Sequence, residues 1–140
     1  MRKKYIIISI CVGCLAMVGL IAILISNYKW KQLPIDIEVE NIIKVKISVK
    51  INGVTQSAEV NPDEWCALFE KLSNLKGYET DYPENFAADE IIISIRYKNE
   101  SVTTIMFGAD RVKQAIIYEN EQRIYNIRNY RFEDFEEFLN

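Results

Sequence analysis

Residues 5–25 contain no charged side chain, and the apolar positions there recur without the polar face that an amphipathic helix shows. At a rise of 1.5 Å per residue a stretch of this length reaches about 30 Å, the thickness of a bilayer's hydrocarbon. The pattern predicts a membrane-spanning helix. Further on the period changes to two: Leu33, Ile35, Ile37, Val39, Ile43, Val45, Ile47, Val49 and Ile51 all fall on odd positions, which is the spacing of one face of a strand. One strand of that length is unusual, so a break or bulge is expected at Asn41-Ile42. Asn52-Gly53 then supplies the dipeptide that favours a two-residue hairpin, with residues 54–60 as the returning strand.

The period shifts once more after Asn61. A cap residue, Pro62, Asp63 and Glu64 precede Trp65, Leu68, Phe69, Leu72 and Leu75 at helical spacing, predicting a helix that opens on an Asn61 cap or capping box and closes at Gly77. Residues 77–90 read as an acidic, aromatic loop. Two further strand pairs follow, turning around Lys98-Asn99-Glu100 and Glu119-Asn120-Glu121, and a closing helix carries Phe132, Phe135 and Leu139 behind an Asn129 cap. Laid on 112–139 without a gap, residues 45–72 match it element for element: Val45 on Val112, Val60 on Ile127, Trp65 on Phe132, Leu68 on Phe135 and Leu72 on Leu139. Such an echo fits either an internal duplication or two independent ββα units. The expected fold is α+β: an N-terminal transmembrane helix, then an antiparallel sheet of about six strands with two helices on one face, in the order ββα-ββ-ββα. The corresponding boundaries are a basic start at 1–4, an anchor at 5–25, a linker at 26–34 and an extracytoplasmic domain at 35–140.

Charge orients the anchor. Arg2, Lys3 and Lys4 flank it on the N-terminal side and favour a cytoplasmic start, with the domain outside, while Tyr28 and Trp30 fall where interfacial aromatics are expected. A cleaved secretory signal would have a shorter apolar core followed by small residues, which 24–30 lacks. Lipid attachment at Cys14 is the other alternative, because Val12-Gly13-Cys14 resembles the end of a lipobox; Cys11 at the position expected to hold Leu, and the apolar residues after Cys14, argue against it. Cys11 and Cys14 also have C-x-x-C spacing, but a thiolate is disfavoured in lipid.

Past Lys4 the chain carries fourteen Lys and Arg against twenty Asp and Glu, a net charge of −6. That sign opposes nucleic acid as a partner. Only Cys66 lies beyond the apolar run, so the domain forms no internal disulfide, and its place beside the helix stripe suggests a partly buried thiol. Histidine is absent, which removes the commonest general base and most zinc sites. Ser73-x-x-Lys76 has the S-x-x-K spacing, as does Ser26-x-x-Lys29, without the companion motifs of penicillin-recognising enzymes. Glu133 and Glu137 stand one turn apart opposite a Phe stripe and read as a solvated face. Glu79, Asp81, Glu84, Asp89 and Glu90 offer oxygen ligands without calcium-loop spacing. No catalytic residue, cofactor or metal is expected.

The "MRKKYIII" opening, the single apolar span and an Ile/Lys/Asn/Glu-rich domain of about a hundred residues resemble small uncharacterised membrane-anchored extracytoplasmic proteins of low-GC Gram-positive bacteria. That resemblance implies a cell-envelope setting and no catalytic residues. The expected function is a non-enzymatic, membrane-tethered domain that binds an envelope protein or peptide through the exposed sheet face or the 77–90 loop, where Tyr78, Tyr82 and Phe86 are the candidate contacts. The alternatives are a sensor or immunity-type regulator acting through its transmembrane helix, and a carboxylate-dependent hydrolase.

Overall fold

The computed structural model describes residues 2–83, 89–108 and 113–139, with side chains from Val12 onward in the first helix. The chain divides into two compact units, Met1–Lys31 and Gln32–Asn140. The first is one helix, α1 (Arg2–Lys29), whose 18-residue window Val12–Lys29 is long and apolar enough to cross a membrane and has no buried residue. Leu15, Val18, Leu20, Ile23 and Ile25 are all exposed on it, a surface that suits lipid and not water. Tyr28 is exposed at its end with the Lys31 ammonium 5.1 Å from its ring centre, and Trp30 is half-buried. The side chains of Arg2, Lys3, Lys4 and Cys11 lie outside the described residues, and Cys14 is exposed.

An antiparallel sheet organises the second unit. Its strands are β1 (Lys31–Gln32), β2 (Ile42–Ile51), β3 (Val54–Glu59), β4 (Lys76–Glu79), β5 (Glu90–Tyr97), β6 (Val102–Gly108), β7 (Gln114–Tyr118) and β8 (Gln122–Arg128), in the spatial order β1-β4-β8-β7-β6-β5-β2-β3. The helices are α2 (Trp65–Ser73) and α3 (Glu133–Glu136), the latter continued by a 3-10 turn at Glu137–Leu139. The α+β class and the antiparallel sheet agree with the sequence pattern, but the strand count is eight and not six. The two extra strands are short and arise from tertiary pairing. β1 has no periodicity to display, and β4 lies inside what reads as the start of a loop, held by β8 through Gly77↔Ile127 and Tyr78↔Asn126. The ββα-ββ-ββα order is corrected accordingly, with a strand inserted directly after α2.

Period two places Val45, Ile47, Val49, Ile91, Ile93, Ile95, Ile105, Phe107, Ala115, Ile117, Tyr125 and Ile127 on one face, where they form a single core with Leu68, Phe69 and Leu72 of α2 and Phe135 and Phe138 from the C-terminal helical turn. Both helices therefore cover the same face. Phe107 stacks on Tyr130 and Phe135 at centroid distances of 5.1 and 5.4 Å, fixing the last helix on the middle of the sheet. The overlay of 45–72 on 112–139 matches the second strands and the helices, with Val60 and Ile127 both buried, as are Leu68 and Phe135. But it sets the core-facing Ile47 and Val49 on Gln114 and Ile116 of the opposite sheet face, and Val112 lies outside the described residues.

The Asn52-Gly53 hairpin forms as expected, with both residues at positive φ (51° and 81°) and Ile51 opposite Val54. Residues 33–41 do not extend the strand. They pass along the end of the sheet as an irregular strap ending in a 3-10 turn at Val39–Asn41, although Leu33 is buried and Ile35 and Ile37 still pack on the core. A bulge between Ile42 and Lys44 leaves Ile43 exposed. At α2, Asn61 makes no side-chain cap bond; Pro62–Glu64 form a 3-10 turn, and the Trp65 indole N–H donates to the Val60 carbonyl at 3.0 Å. Asn129 likewise stands at φ 60° ahead of the last helix without capping it. Gly77 does not end α2, which stops at Ser73. A Cβ there would lie 2.7 Å from the Asn126 carbonyl oxygen and 2.8 Å from Leu33 Cδ2, so glycine is required by the close approach of β4 to β8 and the strap. Cys66 is exposed and not partly buried, on the solvent side of α2.

Truncating Phe135 to Ala removes the ring that joins helix to sheet and should cost about 3–5 kcal/mol, read as a lower urea midpoint. Gly77→Ala should also lower the midpoint, and hydrogen exchange should localise its effect to β4 and β8 while the Asn52-Gly53 hairpin keeps its protection.

Candidate functional site

The strap is tied at both ends. Near its start Leu33 N–H donates to the Leu75 carbonyl at 3.1 Å, beside β4, and near its end Lys98 N–H donates to the Asn41 carbonyl at 2.8 Å, beside β5. The Lys98 ammonium adds a bond to the Glu40 carbonyl at 2.8 Å. The strap thus runs past the ends of the central strands on the core side. Where it faces the β5–β6 and β7–β8 turns, an open cleft of about 550 Å³ remains.

Asp36, Glu38 and Asn41 contribute from the strap, Lys98, Asn99 and Ser101 from the first turn, and Glu119 and Asn120 from the second, with Tyr97 and Thr103 beneath. Local chemistry sets each turn. Asn99 Oδ1 accepts from the Ser101 N–H at 3.0 Å and from its hydroxyl at 2.6 Å, holding the turn around Glu100 at φ 68°. Glu119 pairs with Arg123 at 2.9 Å, and Glu38 accepts from the Asn41 amide. Lys98 is the single cation among the described lining residues, and its three carboxylate neighbours make the cleft negative.

The Tyr97 hydroxyl is the unusual group. The residue is only 9% exposed and its oxygen is buried, with the Thr103 side chain as a loosely placed hydrogen-bonding neighbour. Burial pushes its pKa above the ordinary tyrosine value; a hydrogen bond with Thr103 opposes this, and Glu119, Asp36 and Glu38 reinforce it by repelling a phenolate. A hydroxyl kept neutral under a ring of carboxylates can donate to an incoming acceptor or accept from an incoming donor, and the carboxylates favour a cationic donor. The Ser101 hydroxyl is engaged as a donor to Asn99 Oδ1. No group of three or more Cys, Asp or Glu side chains among the described residues is placed to hold a metal ion.

None of these groups stood out in the sequence as a site. Asp36 and Glu38 look like the solvated face of a strand, and Glu119 and Asn120 like turn residues; the signal that was available is the density of acids at 36–40 beside aliphatics that stay buried. The residues that do stand out are placed elsewhere. Tyr78 is half-buried on β4, on the sheet face away from the helices; Tyr82 is 81% exposed, its carbonyl accepting from Gln114 at 3.0 Å; Phe86 lies outside the described residues. The Ser73 hydroxyl donates to the Glu70 carbonyl at 2.9 Å at the end of α2, and Glu137 pairs with Lys71 at 3.1 Å, both away from the cleft. Of the acidic loop, Asp89 accepts from the Asn52 N–H at 2.7 Å, and Glu84 lies outside the described residues. No protein-family model, curated protein or solved structure matches the chain.

Because the native state holds the Tyr97 proton more tightly than the unfolded chain, its contribution to stability is complete below pH 10 and is lost as pH rises through the higher folded value. Buried Tyr125 acts in the same direction. Melting temperature should therefore fall above pH 10, and fall less steeply in Tyr97→Phe; parallel profiles for the two proteins would exclude Tyr97 as a source.

Proposed function

We propose that this protein is a membrane-tethered extracytoplasmic binding domain, not an enzyme, that contacts an envelope protein or peptide through the cleft between the strap and the two turns. The observation that supports this reading is the convergence of Asp36, Glu38 and Glu119, from segments some eighty residues apart, around the buried Tyr97 hydroxyl. Such a site receives a cationic side chain, with Tyr97 and Thr103 as the floor against which its stem packs. α1 provides the tether, and the three basic residues at its start favour an outward domain.

The full chain in neutral-lipid vesicles should bind a peptide carrying two adjacent Arg residues and should not bind its Gln counterpart. Exposed ion pairs contribute about 0.2–1 kcal/mol each, so Asp36→Asn and Glu38→Gln should each weaken binding by up to about fivefold. Equal affinity for the two peptides would refute the cleft as the site. The alternative, a regulator acting through its transmembrane helix, separates by exchange of α1 for an unrelated span: peptide binding survives the exchange if the helix only tethers, and cellular function fails if the helix also signals.

A further inference from the structure

The second face of the sheet, turned away from α2 and α3, has a charge opposite to the rest of the domain. Alternation assigns to it Lys44, Lys46 and Lys50 of β2, Arg96 of β5, Lys76 of β4 and Arg128 of β8, against only Glu59 and Glu90. Six basic and two acidic residues thus share one face of a chain segment whose overall charge is negative. The basic residues occupy the flanks. Across the middle run Ile92, Met106, Ile116 and Ile124, directly opposite one another on four adjacent strands. Ile116 is buried and the other three half-buried, so the band is a shallow apolar floor and not a groove.

One pairing shows a cost that folding alone does not explain. Lys44 and Arg96 are direct cross-strand neighbours and both are exposed; like charges placed so are destabilising. Glu59 forms an ion pair with Lys44 and stands directly opposite Lys46, and Glu90 stands opposite Lys50, so these two acids leave the four basic residues of β2 and β5 with an excess of two positive charges. An anionic surface would offset that excess. Only Trp30 and Lys31 separate α1 from the first residue of the folded unit, which keeps the unit within a short reach of whatever surface α1 is planted in.

We propose that this basic sheet face docks on anionic phospholipid headgroups of the membrane that holds α1. The inference rests on α1 being an anchor and is independent of what the cleft binds. Each basic side chain near an anionic surface raises affinity by about fivefold, and tethering supplies a millimolar-range local concentration, so four flanking residues on β2 and β5 suffice to hold the face down. The polar Ser48–Ser57 pair (2.8 Å) between those lysines limits insertion, leaving attraction by charge.

The test uses the full chain in vesicles of neutral phosphatidylcholine and in vesicles containing about one third phosphatidylglycerol, with amine acetylation of individual lysines as readout. Lys44, Lys46 and Lys50 should be modified at least threefold more slowly in the anionic vesicles, and 0.5 M NaCl, which shortens screening to about 4 Å, should abolish the difference. Lys71, on the helix side, should react equally in both. In Lys44→Glu/Lys46→Glu the slowing at Lys50 should vanish while the melting temperature holds. Equal modification of the β2 lysines in both vesicle types overturns the proposal, as does slowing produced by an acidic peptide or oligonucleotide but not by lipid. Release of the chain from vesicles by a salt wash overturns the anchor itself and the docking with it, whereas loss of peptide binding at the cleft leaves the lysine result standing.

Discussion

An eight-stranded sheet with strands about 4.8 Å apart is some 34 Å across, and one of its faces is a continuous array of Ile, Val and Phe that water must not reach. Two helices of about 10 Å diameter cannot cover that width. α2 and the C-terminal turn shield part of it, with Phe135 and Leu68 fully buried in the shared core, and residues 33–41 add Leu33, Ile35 and Ile37 to the cover. Those residues meet the requirement without becoming a strand: Leu33, Ile35 and Ile37 still point inward while the backbone departs to cross the sheet end. The cleft is the place where this cover runs out. Tyr97 is buried at that margin, a core residue on one side and the floor of a polar cavity on the other, which is why its hydroxyl is shielded from water with only Thr103 beside it to satisfy it loosely.

The elements that could be read from the sequence are those whose identity is a local matter. The Asn52-Gly53 turn needs two residues at positive φ, and that dipeptide tolerates them; the inner faces of β2, β5 and β6 are written as alternation; Leu68 and Leu72 are one turn apart. What could not be read is decided by partners far along the chain. β4 exists because β8 is beside it, and Gly77, which looks like a helix terminator, serves instead to let two backbones and a leucine come within van der Waals distance. The strap has the period of a strand and lacks a neighbouring strand to pair with. The cleft was invisible for the same reason, because it joins acids from the strap to acids from a turn some eighty positions later. Cys66 illustrates the converse error, a small residue beside an apolar stripe that nonetheless points outward.

Charge in this molecule is informative by place and not by total. A net value of −6 past the N-terminus describes no single surface: three of the acids converge on the cleft and seven lie in the helices and their 3-10 turns, whereas the second sheet face holds six of the thirteen basic residues that follow α1. A domain so polarised has a preferred orientation in any external field. Partner chemistry can therefore differ between the two faces without conflict, one suited to cations and the other to anions.

The order of strands also sets a tempo for folding. β2 and β3, β5 and β6, and β7 and β8 are each joined by a tight turn and can zip within microseconds. The seams between these hairpins are another matter, since Lys46↔Ser94 and Gly77↔Ile127 bring together residues separated by 48 and 50 positions, and closure of such loops comes late because chain entropy opposes it before contacts reward it. A nascent chain whose N-terminal helix is already in place must hold an exposed β2–β3 ribbon until β5 arrives, and must wait for β8 before β4, with only the two-residue β1 on its other side, can join the main sheet. The slow steps of assembly thus fall at the sheet's outer seams, and the last of them requires nearly the whole polypeptide to have emerged.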